Sequence, residues 1–155
     1  MSNAFLLSFV SFLLFVGNNG HTPTKTNTLA ADEMICGKWQ NTDKNIIVDV
    51  YKEGAEFKAK LVWFNNGEGE RAMESWTDKH NPDPALRSRK LLGMNILEKL
   101  VYDPETKSWE DGIIYDAQNG RHWNSSARID KHGELKVKGY WHIKLIGKTM
   151  TFNRL

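Results

Sequence analysis

Apolar and polar residues alternate along the second half of the chain, from residue 109 to residue 155. A period of two is typical of β-strands that pack one face on a core, and turn residues interrupt it here about every ten residues. The turns 116–120 and 130–133 carry Asn or Gly, which adopt the positive φ of tight hairpins. The pattern predicts an antiparallel meander, whose apolar face and unpaired edges require upstream strands to close it.

The first half of the chain repeats the alternation in three shorter segments. We assign strands to Gly37–Asn41, to residues 46–52 and to Glu56–Phe64. Their apolar positions predict two inward rows, namely Ile46, Val48 and Val50 on the second strand, and Phe57, Ala59, Leu61 and Trp63 on the third. Residues 91–102 fit either a short helix or a strand, and we choose a strand because a hairpin turn follows directly.

The remaining strands follow from the same period. Their predicted inward positions are Trp123, Ser125, Ala127 and Ile129, then Leu135, Val137, Gly139 and Trp141, and finally Met150, Phe152 and Arg154. The total is eight strands, a number at which a sheet closes around a small interior. The predicted fold is therefore all-β, an eight-stranded antiparallel up-and-down barrel that forms one domain over residues 31–155.

The alternation fails between the third and fourth predicted strands, in residues 65–90, which we call the lid segment. Two prolines near residue 83 restrict the backbone, and a single helical turn is expected at residues 84–87. A long segment without a pattern inside a compact domain is typical of a functional lid. His80, Asp83 and Arg87 are its candidate chemical residues, although Asp83 is better explained as a turn residue that accepts backbone hydrogen bonds.

The N-terminus differs in character from the rest of the chain. Residues 4–16 are continuously apolar and uncharged, which is the length of a signal-peptide core, whereas a membrane span needs about 20 residues. Residues 18–29 are rich in Thr, Asn and Gly, as disordered tethers are. We therefore expect a signal peptide and tether in residues 1–30, an exported protein that is periplasmic or secreted, and membrane contact only through this leader.

Composition excludes several classes of protein. The net charge is only +2 with interspersed charges, which argues against a nucleic-acid partner. A single cysteine, Cys36, excludes an intramolecular disulfide, and we expect it to be a small buried residue at the start of a strand. No pair of the five histidines has metal-ligand spacing, so neither a metal nor another cofactor is predicted. Nothing in the composition predicts the oligomeric state.

Several segments together resemble one bacterial family, called "domain of unknown function 2147", of exported proteins without an established activity. They are NPDPALR at 81–87, LLG at 91–93, GIIYDAQNG at 112–120, LKVKGY at 135–140 and LIGKT at 145–149, with Arg154 near the end. The resemblance covers residues 32–155. Two positions depart from the family pattern, because Ala117 replaces a usual Pro and Phe152 a usual Trp.

The start of the first strand is also similar to that of lipocalin-like barrels. Gly37-Lys38-Trp39 matches the Gly-x-Trp signature of these barrels. The resemblance implies that an Arg from the last strand lies across this Trp and closes the base, and Arg154 is placed to do so. Stacking of a guanidinium on an indole contributes about 0.5–2 kcal/mol.

Three functions are compatible with such a barrel. An open interior lined by aliphatic and aromatic side chains would bind a small hydrophobic or amphipathic ligand, and the predicted lining is Val48, Val50, Leu61, Trp63, Trp123 and Trp141. The same side chains would instead fill the barrel of a structural or protein-interaction module of the cell envelope. An enzyme would bring His80, Asp83 or Arg87 together in a pocket. We favour the non-catalytic ligand-binding protein.

Overall fold

The computed structural model describes residues 30–65, 67 and 73–155, and within them eight antiparallel strands close into a barrel. Each strand pairs with its neighbours in chain order, and the last pairs with the first. The strands are β1 (Gly37–Asn41), β2 (Ile46–Glu53), β3 (Glu56–Phe64), β4 (Asn95–Asp103), β5 (Ser108–Asp116), β6 (Arg121–Ile129), β7 (Leu135–Tyr140) and β8 (Gly147–Arg154). The predicted all-β barrel of eight strands is confirmed. The predicted signal peptide and tether, apart from Ala30, lie outside the described residues.

A 3-10 helix, Ala31–Ile35, blocks one end of the barrel, which we call the closed end. Ile35 is fully buried there, and the indole Nε1 of Trp109 donates a hydrogen bond of 3.0 Å to the carbonyl oxygen of Asp32. Around Ile35 the core consists of large side chains from six of the strands, namely Trp39, Phe57, Leu100, Trp109, Leu135 and Phe152. The closed end is therefore filled with side chains.

Arg154 joins the last strand to the first strand and to the 3-10 helix. Its guanidinium lies 4.2 Å from the centre of the Trp39 ring, and the two residues face each other in the β1–β8 register. The guanidinium donates one hydrogen bond of 2.8 Å to the carbonyl oxygen of Cys36 and another to that of Met34. The Trp39 indole donates to the carbonyl oxygen of Ile35 at 2.8 Å. These contacts fasten the helix against the barrel.

Gly37 leaves the space that this guanidinium occupies. Its φ is +121°, a conformation that side chains rarely adopt, and a Cβ built on it would lie 2.9 Å from Nη1 of Arg154. The Gly of the Gly-x-Trp signature is therefore required both by backbone conformation and by the close approach of the arginine.

Two strand boundaries and the burial of one residue differ from the sequence predictions. The fourth strand begins at Asn95 and not at residue 91, because Gly93 adopts a φ of +80° and residues 91–94 form a turn. The seventh strand ends at Tyr140, so Trp141 lies beyond it. Cys36 is half-buried and precedes β1 at the end of the 3-10 helix, so the expectation of a fully buried strand residue was wrong.

Among the described residues, no helix is long and apolar enough to cross a membrane.

Arg154→Ala is expected to lower the free energy of unfolding by about 1–3 kcal/mol, because the stacking contact is lost and two carbonyl groups lose their donor. Urea unfolding followed by circular dichroism measures the change. Arg128→Ala is the matched control, since Arg128 lies exposed on β6, and its effect should stay within about 0.5 kcal/mol. Equal effects of the two substitutions would contradict the closing role of Arg154.

Candidate functional site

The inner-face side chains at the end of the barrel opposite the 3-10 helix are incompletely buried. Residues that face each other in register share one face of a sheet. Leu97 is buried in the core, so the pairs Leu97–Ile114 and Ile114–Trp123 place all three side chains on the inner face. Along β6, Ala127 is 2% exposed whereas Trp123, four residues nearer the open end, is half-buried. Along β8, Phe152 is buried and Met150 is half-buried. On β6 and β8, solvent therefore reaches the large apolar side chains Trp123 and Met150 toward this end.

We call this end the mouth of the barrel. It is lined by inner-face residues of five strands, namely Ile46, Ile114, Trp123, Gly139 and Met150. A Cβ built on Gly139 would touch only Ile114 and Trp123, each at 3.9 Å, so this position has room for a side chain. Below the mouth, Ser125 is fully buried and its hydroxyl has no hydrogen-bond partner among the described residues. Ser125 therefore marks the floor at which the packed core begins.

The structure brings together part of the predicted lining. Val48, Val50 and Leu61 face inward, but they are only 5%, 2% and 8% exposed and belong to the core beneath the mouth. Trp123 lines the mouth itself. Aliphatic alternation on β2 and β3 predicts the inward direction correctly, but it carries no information on how far along the barrel axis the packing extends.

Trp63 lies apart from the other predicted lining residues. A register shift between β2 and β3 pairs Val48 with Leu61 but Ile47 with Trp63, so Val62 is the extra residue of a bulge. The bulge moves Trp63 onto the face of Ile47, which points away from the interior. The strict alternation assumed for Glu56–Phe64 fails at this point.

Trp141 also leaves the predicted inward row, because β7 ends one residue before it. Its side chain is 58% exposed, and its ring packs edge-on against Trp123 with centroids 5.6 Å apart. Trp141 therefore contacts the mouth residue Trp123 from just beyond the end of β7.

The three candidate residues of the lid segment do not converge on one point. His80 is exposed, and Asp83 caps the 3-10 helix Pro84–Leu86 by accepting a hydrogen bond of 2.9 Å from the Ala85 amide. Arg87 donates from Nε to the carbonyl oxygen of Asn81 at 2.8 Å. Each contact stabilises the fold of the segment itself. No group of three metal-ligating side chains occurs within residues 30–65, 67 and 73–155.

A buried carboxylate instead anchors the lid segment to the barrel wall. Asp78 is 0% exposed and accepts hydrogen bonds from the Tyr115 hydroxyl at 2.6 Å, from Asn81 Nδ2 at 2.7 Å and from Arg89 Nη2 at 2.8 Å. Tyr115 pairs with His122 in register and shares its face with Ile113, so it points outward from the barrel. The described part of the lid segment is therefore fastened to the outer face of β5.

The hydrogen bonds of this network set the protonation of its members. Burial alone would raise the pKa of Asp78, but the donors Tyr115, Asn81 and Arg89 outweigh it and hold the pKa below its ordinary value. Burial, together with the bond to Asp78, raises the pKa of Tyr115 to about 12. Asp78 is therefore charged and Tyr115 neutral at physiological pH, which is the arrangement that a structural ion pair requires.

A turn glycine provides a second anchor for the lid segment. A Cβ built on Gly120, in the turn between β5 and β6, would lie 2.0 Å from the carbonyl oxygen of His80. The lid segment therefore packs directly on the turn backbone at His80. The motifs around residues 81–87 and 112–120, found together in the sequence, are in contact in the structure.

A polar cleft lies beside the anchored segment on the outer wall. Its volume is about 290 Å³, and its polar lining is Lys60, Arg89, Asn95, Glu98, Tyr115 and His122. Two of its groups are already bonded to neighbours, because Arg89 pairs with Asp78 and Asn95 accepts from the Tyr51 hydroxyl at 2.9 Å. At the mouth, in contrast, the apolar side chains Ile114, Trp123 and Met150 are only half-buried, and we therefore take the mouth as the candidate site.

Sequence reasoning missed Asp78 and Tyr115 as partners. The segment TDKHN at 77–81 has no periodicity, and nothing in it distinguishes Asp78 from a solvated turn residue. The one available signal was Tyr115 itself, an aromatic residue on the outward positions of a strand, since such a residue requires a covering element.

Asp78→Asn is expected to lower the free energy of unfolding by about 1–3 kcal/mol at neutral pH, because a buried charged hydrogen-bond acceptor is lost. The folded-state pKa of Asp78 lies below its ordinary 3.8, so its stabilisation is complete above that value and is lost as the pH falls through the folded-state pKa. The difference from wild type should therefore shrink below about pH 4. Asp83→Asn is the control, since Asn caps helices equally well. A difference independent of pH would contradict the charged state of Asp78.

Comparisons with known proteins agree with this architecture. Residues 37–154 match the family model described as "Uncharacterized protein conserved in bacteria (DUF2147)". Among solved structures, the chain is similar to protein HP1028 from the human pathogen Helicobacter pylori, which is described as belonging to the lipocalin family. The identity is 24%, the TM-score is 0.65, and the match covers 83% of this chain and 84% of that chain.

The two comparisons support different conclusions. At 24% identity, the likeness to HP1028 shows the fold alone, and it confirms the lipocalin-like barrel. No curated protein matches the chain. The family model, in contrast, spans most of the chain and confirms the resemblance found in the sequence motifs. The chain belongs to the DUF2147 family of uncharacterised bacterial proteins.

Proposed function

We propose that this protein binds a small apolar or amphipathic ligand in the mouth of the barrel and catalyses no reaction. The observation that carries the proposal is the gradient of burial along the inner face, from fully buried Ile35 and Trp39 to half-buried Ile114, Trp123 and Met150. Unfilled apolar surface inside a concave site is what binds hydrophobic ligands in proteins. The site is shallow, because the core closes it at Ser125.

Lys148 adds a charged group at the rim of this site. It pairs with Gly139 in the β7–β8 register and shares the inner face with Met150, and its side chain is exposed. It forms no ion pair with any residue that the structure describes. An ammonium group beside an apolar opening favours an amphipathic ligand whose head carries a carboxylate or another anion.

We further propose that the protein is exported. The support is the uncharged apolar run at residues 4–16 followed by a polar segment. A lipid-like ligand would agree with a periplasmic or secreted location, where apolar molecules need carriers between membranes.

A second candidate is a structural or protein-interaction module of the cell envelope. The filled closed end agrees with it, and so does an exposed apolar loop between β7 and β8. Ligand binding at the mouth distinguishes the two candidates, because the module requires none.

Gly139→Leu is expected to lower the affinity for fatty acids and lysophospholipids at least about tenfold, because the added side chain occupies the mouth. The backbone at Gly139 is not in the left-handed region, so a strand residue is tolerated there. Quenching of tryptophan fluorescence by a panel of these lipids measures the affinity. Asn153→Leu, which adds the same side chain on an exposed position of β8, should bind as the wild type does.

Native mass spectrometry of the protein purified from its own cell envelope provides the complementary measurement. Retained lipid-like mass in the wild type, absent from Gly139→Leu, is the expected result. Bare wild-type protein that also shows no quenching with any lipid of the panel would overturn the proposal and leave the interaction module.

Lys148→Gln is expected to weaken the binding of fatty acids several-fold and to leave the binding of the corresponding fatty alcohols unchanged. Only the acids carry the anion that Lys148 would pair with. The same fluorescence titration at low and high salt measures both series. Parallel losses for acids and alcohols would show that Lys148 acts through packing and not through charge.

A further inference from the structure

The loop between β7 and β8, residues 141–146, presents four large apolar side chains to solvent. Trp141 is 58% exposed, Ile143 59%, Leu145 86% and Ile146 73%. We call this segment the apolar loop. Single exposed apolar residues are ordinary, but four within six consecutive residues form a contiguous patch that marks an interaction site.

The polar atoms of the apolar loop are engaged with the barrel. Its backbone is held by Asn124 Nδ2, which donates to the carbonyl oxygen of Trp141 at 2.8 Å, and by Lys138 Nζ, which donates to that of Leu145 at 3.4 Å. Lys144 forms an ion pair of 2.5 Å with Glu110 on β5. Two backbone carbonyl groups and one side chain of the loop are therefore bonded to the barrel, whereas its apolar side chains are exposed to solvent.

The chain segment that contains the apolar loop carries charges of one sign, although Glu110 of β5 pairs with Lys144. Residues 135–155 contain no Asp or Glu, and their basic residues are Lys136, Lys138, Lys144, Lys148 and Arg154, with His142 inside the loop. Lys138 and Lys148 flank the loop on the two strands that it connects, and neither forms an ion pair with a described residue. An aromatic and aliphatic tip with lysines at its base is the composition of segments that insert into the interface of a membrane.

We propose that the apolar loop docks the protein on a lipid surface that carries anionic headgroups. The tip inserts Leu145 and Ile146 among the acyl chains, Trp141 lies at headgroup level, and the flanking lysines contact the anions. A stable protein interface buries about 800 Å² on each partner, whereas the apolar tip is one six-residue loop. The other large apolar residues exposed in the described part of the chain lie on other segments, namely Met34, Leu86, Val101 and Leu155.

The position of the apolar loop gives this docking a consequence for access to the barrel. Trp141 packs on Trp123, which lines the mouth, so a docked loop places the mouth beside the lipid surface. The docking proposal does not rest on ligand binding, because it follows from the exposure and charge of the loop alone.

Tryptophan fluorescence does not arise from the apolar leader, because the leader contains no tryptophan. All six tryptophans lie between residues 39 and 141, and residues 1–29 contain none. Trp141 is the only tryptophan of the described residues among the exposed large hydrophobic side chains. Quenching of tryptophan fluorescence by lipids with brominated acyl chains therefore reports contact of the loop with the bilayer, whatever the leader does.

The test uses the full chain with brominated vesicles of phosphatidylcholine alone or mixed with phosphatidylglycerol. We expect quenching and a shift of emission to shorter wavelength with the anionic vesicles, and loss of both in the double variant Leu145→Ser and Ile146→Ser. High salt should weaken the effect, because it screens the lysines. Leu86→Ser with Leu155→Ser is the matched control and should behave as the wild type does.

Three outcomes would overturn the proposal. One is equal quenching in the wild type and the double variant, which would show that the apolar loop is not the inserted segment. Another is equal quenching by neutral and anionic vesicles at every salt concentration, which would remove the role of the lysines. The third is a self-association of the wild type, lost in the double variant, without any vesicle quenching, which would assign the loop to a contact between two copies of this chain. Circular dichroism confirms that the variants are folded.

Discussion

The stacking of Arg154 on Trp39 is the contact on which the rest of the barrel depends. It joins the first and last strands of the barrel, β1 and β8, and the same guanidinium holds the 3-10 helix through two carbonyl groups. A sheet of eight strands has two edges until its first and last strands pair, and closure removes both. Because the helix fills that end with Ile35, the half-buried inner-face residues Ile114, Trp123 and Met150 lie at the opposite end.

The architecture could be predicted from the sequence because each of its rules is local. Period-two alternation and turn residues specify the strands, and the signature Gly37-Lys38-Trp39 with an Arg near the C-terminus specifies how the barrel closes. The errors occur where a local rule is broken by one residue. A bulge at Val62 moves Trp63 to the outer face, and Gly93 delays the fourth strand to Asn95. A single inserted residue is invisible in a pattern that continues on either side of it.

The candidate site was harder to predict because it depends on distances along the barrel axis. Alternation distinguishes inward from outward positions, but Val48 in the packed core and Trp123 at the mouth have the same pattern. The buried network around Asp78 is a long-range arrangement, in which a residue of an irregular segment meets Tyr115 from a strand 37 positions away. Such pairs have no signature in a single sequence, and an outward-facing aromatic residue is the only hint that a covering segment exists.

The two ends of the barrel differ in packing, and the lid candidates His80, Asp83 and Arg87 do not converge at either end. At the closed end, every strong contact serves packing. The lid segment is fastened by Asp78 and Tyr115 to the outer wall, where its residues stabilise one another. The mouth and the apolar loop are in contact through Trp123 and Trp141. If both act as proposed, both bind molecules that are themselves amphipathic.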